Sequence, residues 1–202
     1  MVEKGMAAPR PYHHGNLRTA LLQAAERALE SGEEISLREL SRELGVSHTS
    51  PRRHFADKQA LLDALAITGF ERFEEALERA VKARGQTFKA RLTRVAQAYV
   101  AFALKHPKLF ALMFASKHRP DAPPEVLRAS EKAFGYGRAT FVEGQANGEV
   151  VAGDPMRLSL VAFAALQGLI TISTDGKFKG VDLGTWTKEI IERIIVGFRP
   201  RD

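Results

Sequence analysis

Between Val46 and Ala56 the chain reads Ser-His-Thr-Ser-Pro-Arg-Arg-His-Phe: three hydroxyls, two imidazoles and two guanidiniums, with no acid among them. Groups of this kind meet phosphate oxygens and, in a major groove, base edges. No comparable case exists for catalysis. Ser47-His48 and Ser116-Lys117-His118 stand without a nucleophile elbow or a supporting acid. The six histidines, His13, His14, His48, His54, His106 and His118, contain no metal-binding i,i+4 pair with a glutamate, and no GxxxxGK loop cradles phosphate. His48 and His54 lie six apart, a poor spacing for sharing one ligand face of a helix. There is no cysteine, which excludes disulfides, thiolate metal sites and cysteine nucleophiles and agrees with a reducing cytoplasm. Neither an enzyme nor a bound metal or cofactor is expected. His13-His14 has the donors to chelate a metal, but an arm lying near DNA phosphates is the favoured reading.

The elements that must hold this segment read as helical. Ser36-Leu37-Arg38-Glu39 is a capping box, opening a helix that runs to about Leu44 and stops at Gly45. A short helix follows Ser47 and closes by Phe55, with Leu37, Leu40, Leu44, Val46 and Phe55 as the apolar inner face. Together they form a helix-turn-helix, whose second helix enters a major groove while the first crosses the backbone. His48, Thr49, Ser50, Arg52, Arg53 and His54 then face outward. Pro51 is comfortable if Ser50 caps that helix and costs a backbone bond if Ser47 does.

The flanking pattern is helical nearly throughout. Asn16 can cap a first helix over Leu17, Leu21, Leu22, Ala25 and Ala28, ending near Ser31-Gly32. Asp57 caps a long helix with Leu61, Leu65, Phe73, Leu77 and Val81 near one stripe. Further helices are expected from Gln86-Thr87 to His106-Pro107, from Leu109 to Ala115, and from about Glu125 to Asn147. Two more run from Asp154-Pro155 to about Thr174, before the loop at Asp175, and from Leu183 to Gly197. The fold class is all-α with about nine helices, divided into residues 1–60, with an N-terminal arm of about 12 residues, and residues 61–202.

At these residues the chain resembles the TetR family of transcriptional regulators. The likeness is strongest to the branch that reads HHGNLR before its first helix and GVSHxxPYRHFxDKxALL at its recognition segment. Here those stretches are His13 to Arg18 and Gly45 to Leu62. The resemblance implies a homodimer that binds palindromic double-stranded operator DNA through its N-terminal domain. Its C-terminal domain would bind a small effector and dimerise through the last two long helices. Ser36 falls where the second helix meets the DNA backbone, His48, Thr49 and Ser50 fall on the base-reading turn, and His54 and Lys58 fall on phosphate contacts. Repression is the family default. Arg52 departs from the pattern, which has an aromatic residue there, commonly tyrosine; a guanidinium can replace the phenol's single bond with a charge-assisted one.

The C-terminal half concentrates the aromatics. Tyr99, Phe102, Phe110, Met113, Phe114, Phe134, Phe141 and Phe163 are candidates for an effector pocket between helices, although most aromatics at helical spacing are core. Gln167, a lone amide within the apolar run Leu158–Ile172, needs a hydrogen-bond partner or a cavity to face. An effector of largely apolar or aromatic character is expected. The helix 154–174, apolar nearly all round, and the last helix are expected to form the dimer seam through Ala162, Leu166, Ile191, Ile194 and Ile195.

Bulk composition adds less. The 202 residues are 45% hydrophobic and 27% charged, with a mean hydropathy of −0.20, which excludes a disordered chain. Net charge is +6, yet residues 1–70 balance nine basic against nine acidic residues; the densest basic run is Arg79, Lys82, Arg84, Lys89, Arg91 and Arg94. The first ten residues hold no apolar stretch long enough for a signal peptide. The run Leu158–Ile172, interrupted by Gln167 and Gly168, falls short of the roughly 20 residues of a membrane span. A cytoplasmic protein without membrane partners is expected. The alternative reading is a helical ligand-binding or protein-interaction module that has lost specific DNA binding.

Overall fold

The computed structural model describes residues 17–82, 87–174 and 182–200. Among them are eight α-helices, one 3-10 turn and no strand. Contacts divide the chain into two units that part between Leu65 and Ala66. Asn16, His13-His14, Arg84, Gln86 and the loop from Asp175 lie outside the described residues.

In the first unit α1 (Leu17–Ser31) turns Leu17, Leu21, Leu22, Ala24, Ala25 and Ala28 inward. It ends at Gly32, whose φ of 83° is the left-handed conformation that closes a helix without a Cβ penalty. α2 (Leu37–Glu43) opens on Ser36, whose Oγ accepts the Glu39 N–H at 3.1 Å. The same hydroxyl donates to the Glu39 carboxylate at 3.3 Å, so the glutamate returns to the cap's side chain. Leu40 and Phe55 are buried between these helices, while Leu37, Leu44 and Val46 are half-buried.

The expected short helix from Ser47 to Phe55 is instead a 3-10 turn, Pro51–Arg53. Its reason lies in Pro51, which has no N–H to donate to an α-helical ladder. Three bonds here step by three residues, Ser50 N–H to Ser47, Arg53 N–H to Ser50, and His54 N–H to Pro51, and the Phe55 N–H closes on the same Pro51 carbonyl in a step of four. Ser50 occupies the cap position but is already helical in backbone and makes no side-chain cap bond. Eight α-helices and this turn thus stand where nine helices are expected.

α3 (Lys58–Val81) starts under Asp57, whose carboxylate accepts the Ala60 N–H at 2.8 Å, and continues across the division of the chain. Leu61, Leu65, Phe73 and Leu77 are buried along it and Val81 is half-buried. The second unit adds α4 (Phe88–Lys105), α5 (Pro107–His118), α6 (Pro124–Ala146), α7 (Pro155–Thr174) and α8 (Leu183–Gly197). α4 is capped by Thr87 and by the Glu149 carboxylate, which accepts the Phe88 N–H at 2.6 Å. α5 is longer than the expected Leu109–Ala115 because Pro107, fixed at a helical φ, serves as its first residue.

Phe73 sits at the centre of this unit, with the rings of Tyr99, Phe102, Phe110 and Phe134 at centroid distances of 5.1 to 6.3 Å. The pairs with Tyr99, Phe110 and Phe134 are edge-to-face, an arrangement that adds about 0.5–1.5 kcal/mol each beyond the area buried. α7 packs on α4, α6 and α8. Its stretch Pro155–Ser173 runs 19 residues at a mean hydropathy of 1.5, long and apolar enough to cross a membrane by length and composition alone. The sequence run is thus extended at both ends by the helix that contains it.

Candidate functional site

Two places bring functional side chains together, one in each unit. In the first, Pro51 and Phe55 are buried beneath the 3-10 turn, and the Arg18 guanidinium lies 5.5 Å from the Phe55 ring centroid. This footing turns His48, Thr49, Arg52, Arg53, His54 and Lys58 to solvent, with Ser36 and Ser50 half-buried. The Ser47 hydroxyl pairs with those of Thr49 at 3.1 Å and Ser50 at 2.7 Å. Those hydroxyls must exchange partners to meet a base, whereas Arg52 and Arg53 make no ion pair among the described residues. A hollow beside the turn is lined by Ser36, Arg38, Arg42 and His48. Arg38 and Arg42 extend the cationic face; their i,i+4 spacing beside the Ser36 cap was the signal in the sequence.

The second place is a cavity of about 280 Å³, open to solvent on one side, bordered by α3 to α7. Tyr99, Phe134, Phe141 and Phe163 form part of its wall, with Leu77, Val95, Met156 and Leu160. Phe102, Phe110, Met113 and Phe114 belong to the surrounding packing, Phe110 against Phe114 at 4.8 Å and Met113 against Gly69. Gln167 is not on the wall: its side-chain oxygen accepts the Tyr99 hydroxyl, which gives the lone amide its partner within the subunit. Burial holds the Tyr99 phenol well above its ordinary pKa, so it stays a neutral donor.

The wall also carries charge, which pattern reading missed. Lys117, Glu131 and Arg138 line it, the latter two exposed. The Lys117 Nζ stands 4.4 Å from the Phe134 ring centroid, 4.6 Å from Phe114 and 5.9 Å from Phe163. Burial pulls its pKa below the usual lysine value. The i,i+3 spacing of Phe114 and Lys117 on α5 was legible, but the rings from α6 and α7 were not. Among the described residues no group of three or more metal-ligating side chains comes together.

The expected dimer residues sit mostly inside the single chain. Ala162, Leu166, Ile191 and Ile195 are buried within the single chain, and Ile194 is half-buried. Ala162 and Leu166 line the cavity. Of the exposed apolar residues of α7 and α8, Met156 and Leu160 border the cavity, whereas Val161, Ile172, Trp186 and Val196 do not. Periodicity identified apolar helices correctly but could not say which face of an all-apolar helix is turned inward.

This is an all-helical chain with a helix-turn-helix unit and a cavity-bearing helical bundle. The family description "Tetracyclin repressor-like, C-terminal domain" matches residues 92–198. The chain belongs to the TetR family, whose members are transcription regulators. Its fold is shared by a Rhodococcus sp. RHA1 protein of unknown function, 42% identical over 95% of this chain and 100% of that one, at a TM-score of 0.88. A TetR family transcription regulator from Marinobacter aquaeolei VT8 is 19% identical over 93% of this chain and 97% of that one, at a TM-score of 0.72. FadR from Bacillus subtilis, solved with stearoyl-CoA, is 16% identical over 90% of this chain and 99% of that one, at a TM-score of 0.73. No curated protein matches the chain.

Proposed function

We propose that the protein is a cytoplasmic, ligand-responsive transcription regulator that binds palindromic operator DNA as a homodimer. One observation carries the reading. The acid-free stretch from Ser47 to Phe55 holds His48, Arg52, Arg53 and His54 exposed above a buried Pro51 and Phe55, with Lys58 following. Cationic and hydrogen-bonding groups on a rigid footing provide both the salt-dependent phosphate attraction and the base contacts that specific binding needs. Ser36, Thr49 and Ser50 complete the set, with Arg38 and Arg42 as added phosphate contacts. Repression, relieved by the effector, is the mode proposed.

The effector site is the cavity of about 280 Å³, just under the roughly 300–1,000 Å³ of ordinary small-molecule sites. Its ligand releases DNA if it binds the non-binding conformation more tightly. The dimer forms through the outward apolar side chains of α7 and α8, among them Val161 and Trp186, which water would otherwise cover. Members of this family are regulators in general, and no enzymatic step is proposed.

The second reading, a ligand-binding module without specific DNA binding, is favoured by one feature: a 3-10 turn stands where a groove-entering helix was expected. A mobility-shift assay against upstream DNA of the source genome separates the two. Retention of a specific fragment supports the regulator. Failure to bind any promoter fragment, with or without candidate ligands, favours the module.

A further inference from the structure

Lys117 occupies a place where a lysine is costly. It stands on the wall of a largely apolar cavity, and among the described residues it makes no ion pair or hydrogen bond. Its compensation is the face of aromatic rings, Phe134 and Phe114 within 4.6 Å and Phe163 at 5.9 Å. Three helices contribute to this box: Phe114 and Lys117 from α5, Phe134 from α6 and Phe163 from α7. Each ring contact recovers only part of what the ammonium loses in leaving water. A lysine at the end of α5 would meet the helix carbonyls equally well from the solvent side. Its position on the cavity wall leaves a directed donor facing the space where a ligand would lie.

We propose that the cavity takes an apolar anion, a long-chain or aromatic carboxylate, whose charged group pairs with the Lys117 ammonium while its apolar body fills the space between α4, α6 and α7. The proposal rests on the reading of this cavity as the effector site and adds the ligand's charge. Burial, which pulls the lysine's pKa down, acts in the same sense: an arriving anion restores what desolvation removed. The other charges on the wall do not decide the matter. Glu131 and Arg138 are exposed, of opposite sign, and positioned to face water as well as ligand.

The test uses three probes of one length, decanoate, 1-decanol and decylamine, titrated calorimetrically into the full chain below their micelle concentrations. A charge-assisted hydrogen bond of this type corresponds to roughly 10- to 100-fold in affinity. Decanoate should bind at least about tenfold tighter than decanol, and decylamine weakest. Lys117→Met, which keeps length and apolar bulk, should erase the preference while decanol affinity stays within about twofold; Lys117→Arg should retain it. Unchanged thermal unfolding, or unchanged decanol binding, shows that the variants keep the cavity. Equal binding of acid and alcohol, or a preference that survives in Lys117→Met, overturns the anion assignment and leaves the cavity as an apolar effector site. Preference for the amine overturns it in favour of a cation box. If none of the three binds the folded protein, the effector-site reading falls and takes this proposal with it.

Discussion

Arg52 stands exposed immediately after the buried Pro51, at the position where the resembling branch carries an aromatic residue. If it anchors a phosphate it recognises charge, not sequence. Arg52→Ala should then weaken operator and random DNA by similar factors. It should also lower the salt slope by about one phosphate contact per subunit, because fewer counterions are released. Arg52→Tyr should keep much of the affinity with a flatter salt dependence. Titration of both variants at two or more salt concentrations checks this. A loss of roughly 1–3 kcal/mol confined to the operator, with the slope unchanged, would assign Arg52 to a guanine edge. The residue types of this face were legible because an acid-free run of donors needs no tertiary context to be recognised. The turn that presents them was only half legible. Pro51 signalled its own conflict with an α-helix, but the hydroxyl pairing of Ser47 with Thr49 and Ser50 arises only from the folded geometry.

At the scale of elements, the helix starts were the most legible feature, since Ser36, Asp57 and Thr87 each hold a backbone N–H that a neighbouring turn leaves unpaired. Close approach between elements was not legible. A Cβ added at Gly144 on α6 would lie 2.6 Å from a Val150 methyl and 2.8 Å from the Phe88 ring. Gly144→Ala should therefore destabilise the second unit by about 1–3 kcal/mol, despite alanine's better helix propensity. At Gly137 nothing lies within 4 Å, and Gly137→Ala should gain about 0.5–1 kcal/mol. Thermal and urea unfolding of the pair tests the contrast. Equal effects at both positions would mean that the α4–α6 contact is looser than described.

The outward face of α7 and α8 carries its own expectation. Val161 is 53% exposed and Trp186 46%, while Ile191 is fully buried. Val161→Arg should give a folded monomer by sedimentation, because the charge lands on the proposed seam. Ile191→Arg should instead lose helical signal, because it buries an unpaired charge inside the chain. Trp186 is the sole tryptophan, so its emission should shift to the red as the wild type is diluted through dissociation. A Val161→Arg variant that remains dimeric would move the seam elsewhere.

For the whole molecule, the sequence revealed an all-helical chain with a capped helix and a donor-rich turn followed by an aromatic-rich bundle, because periodicity, caps and donor runs are local properties. The cavity and its charge were beyond it. Which aromatics wall a space and which fill the core depends on how α3 to α7 meet, and Lys117 gains meaning only when Phe134 and Phe163 arrive from other helices. The proposed activity of the whole chain is specific, dimeric recognition of operator DNA. The most direct measurement is fluorescence anisotropy of a labelled duplex, chosen by selection from random DNA and titrated with the protein against unlabelled random competitor. A palindromic consensus, saturation at two chains per duplex, and affinity for it at least about a thousandfold above random DNA are expected. A selection that yields no consensus, or binding that the random competitor removes equally well, would contradict it.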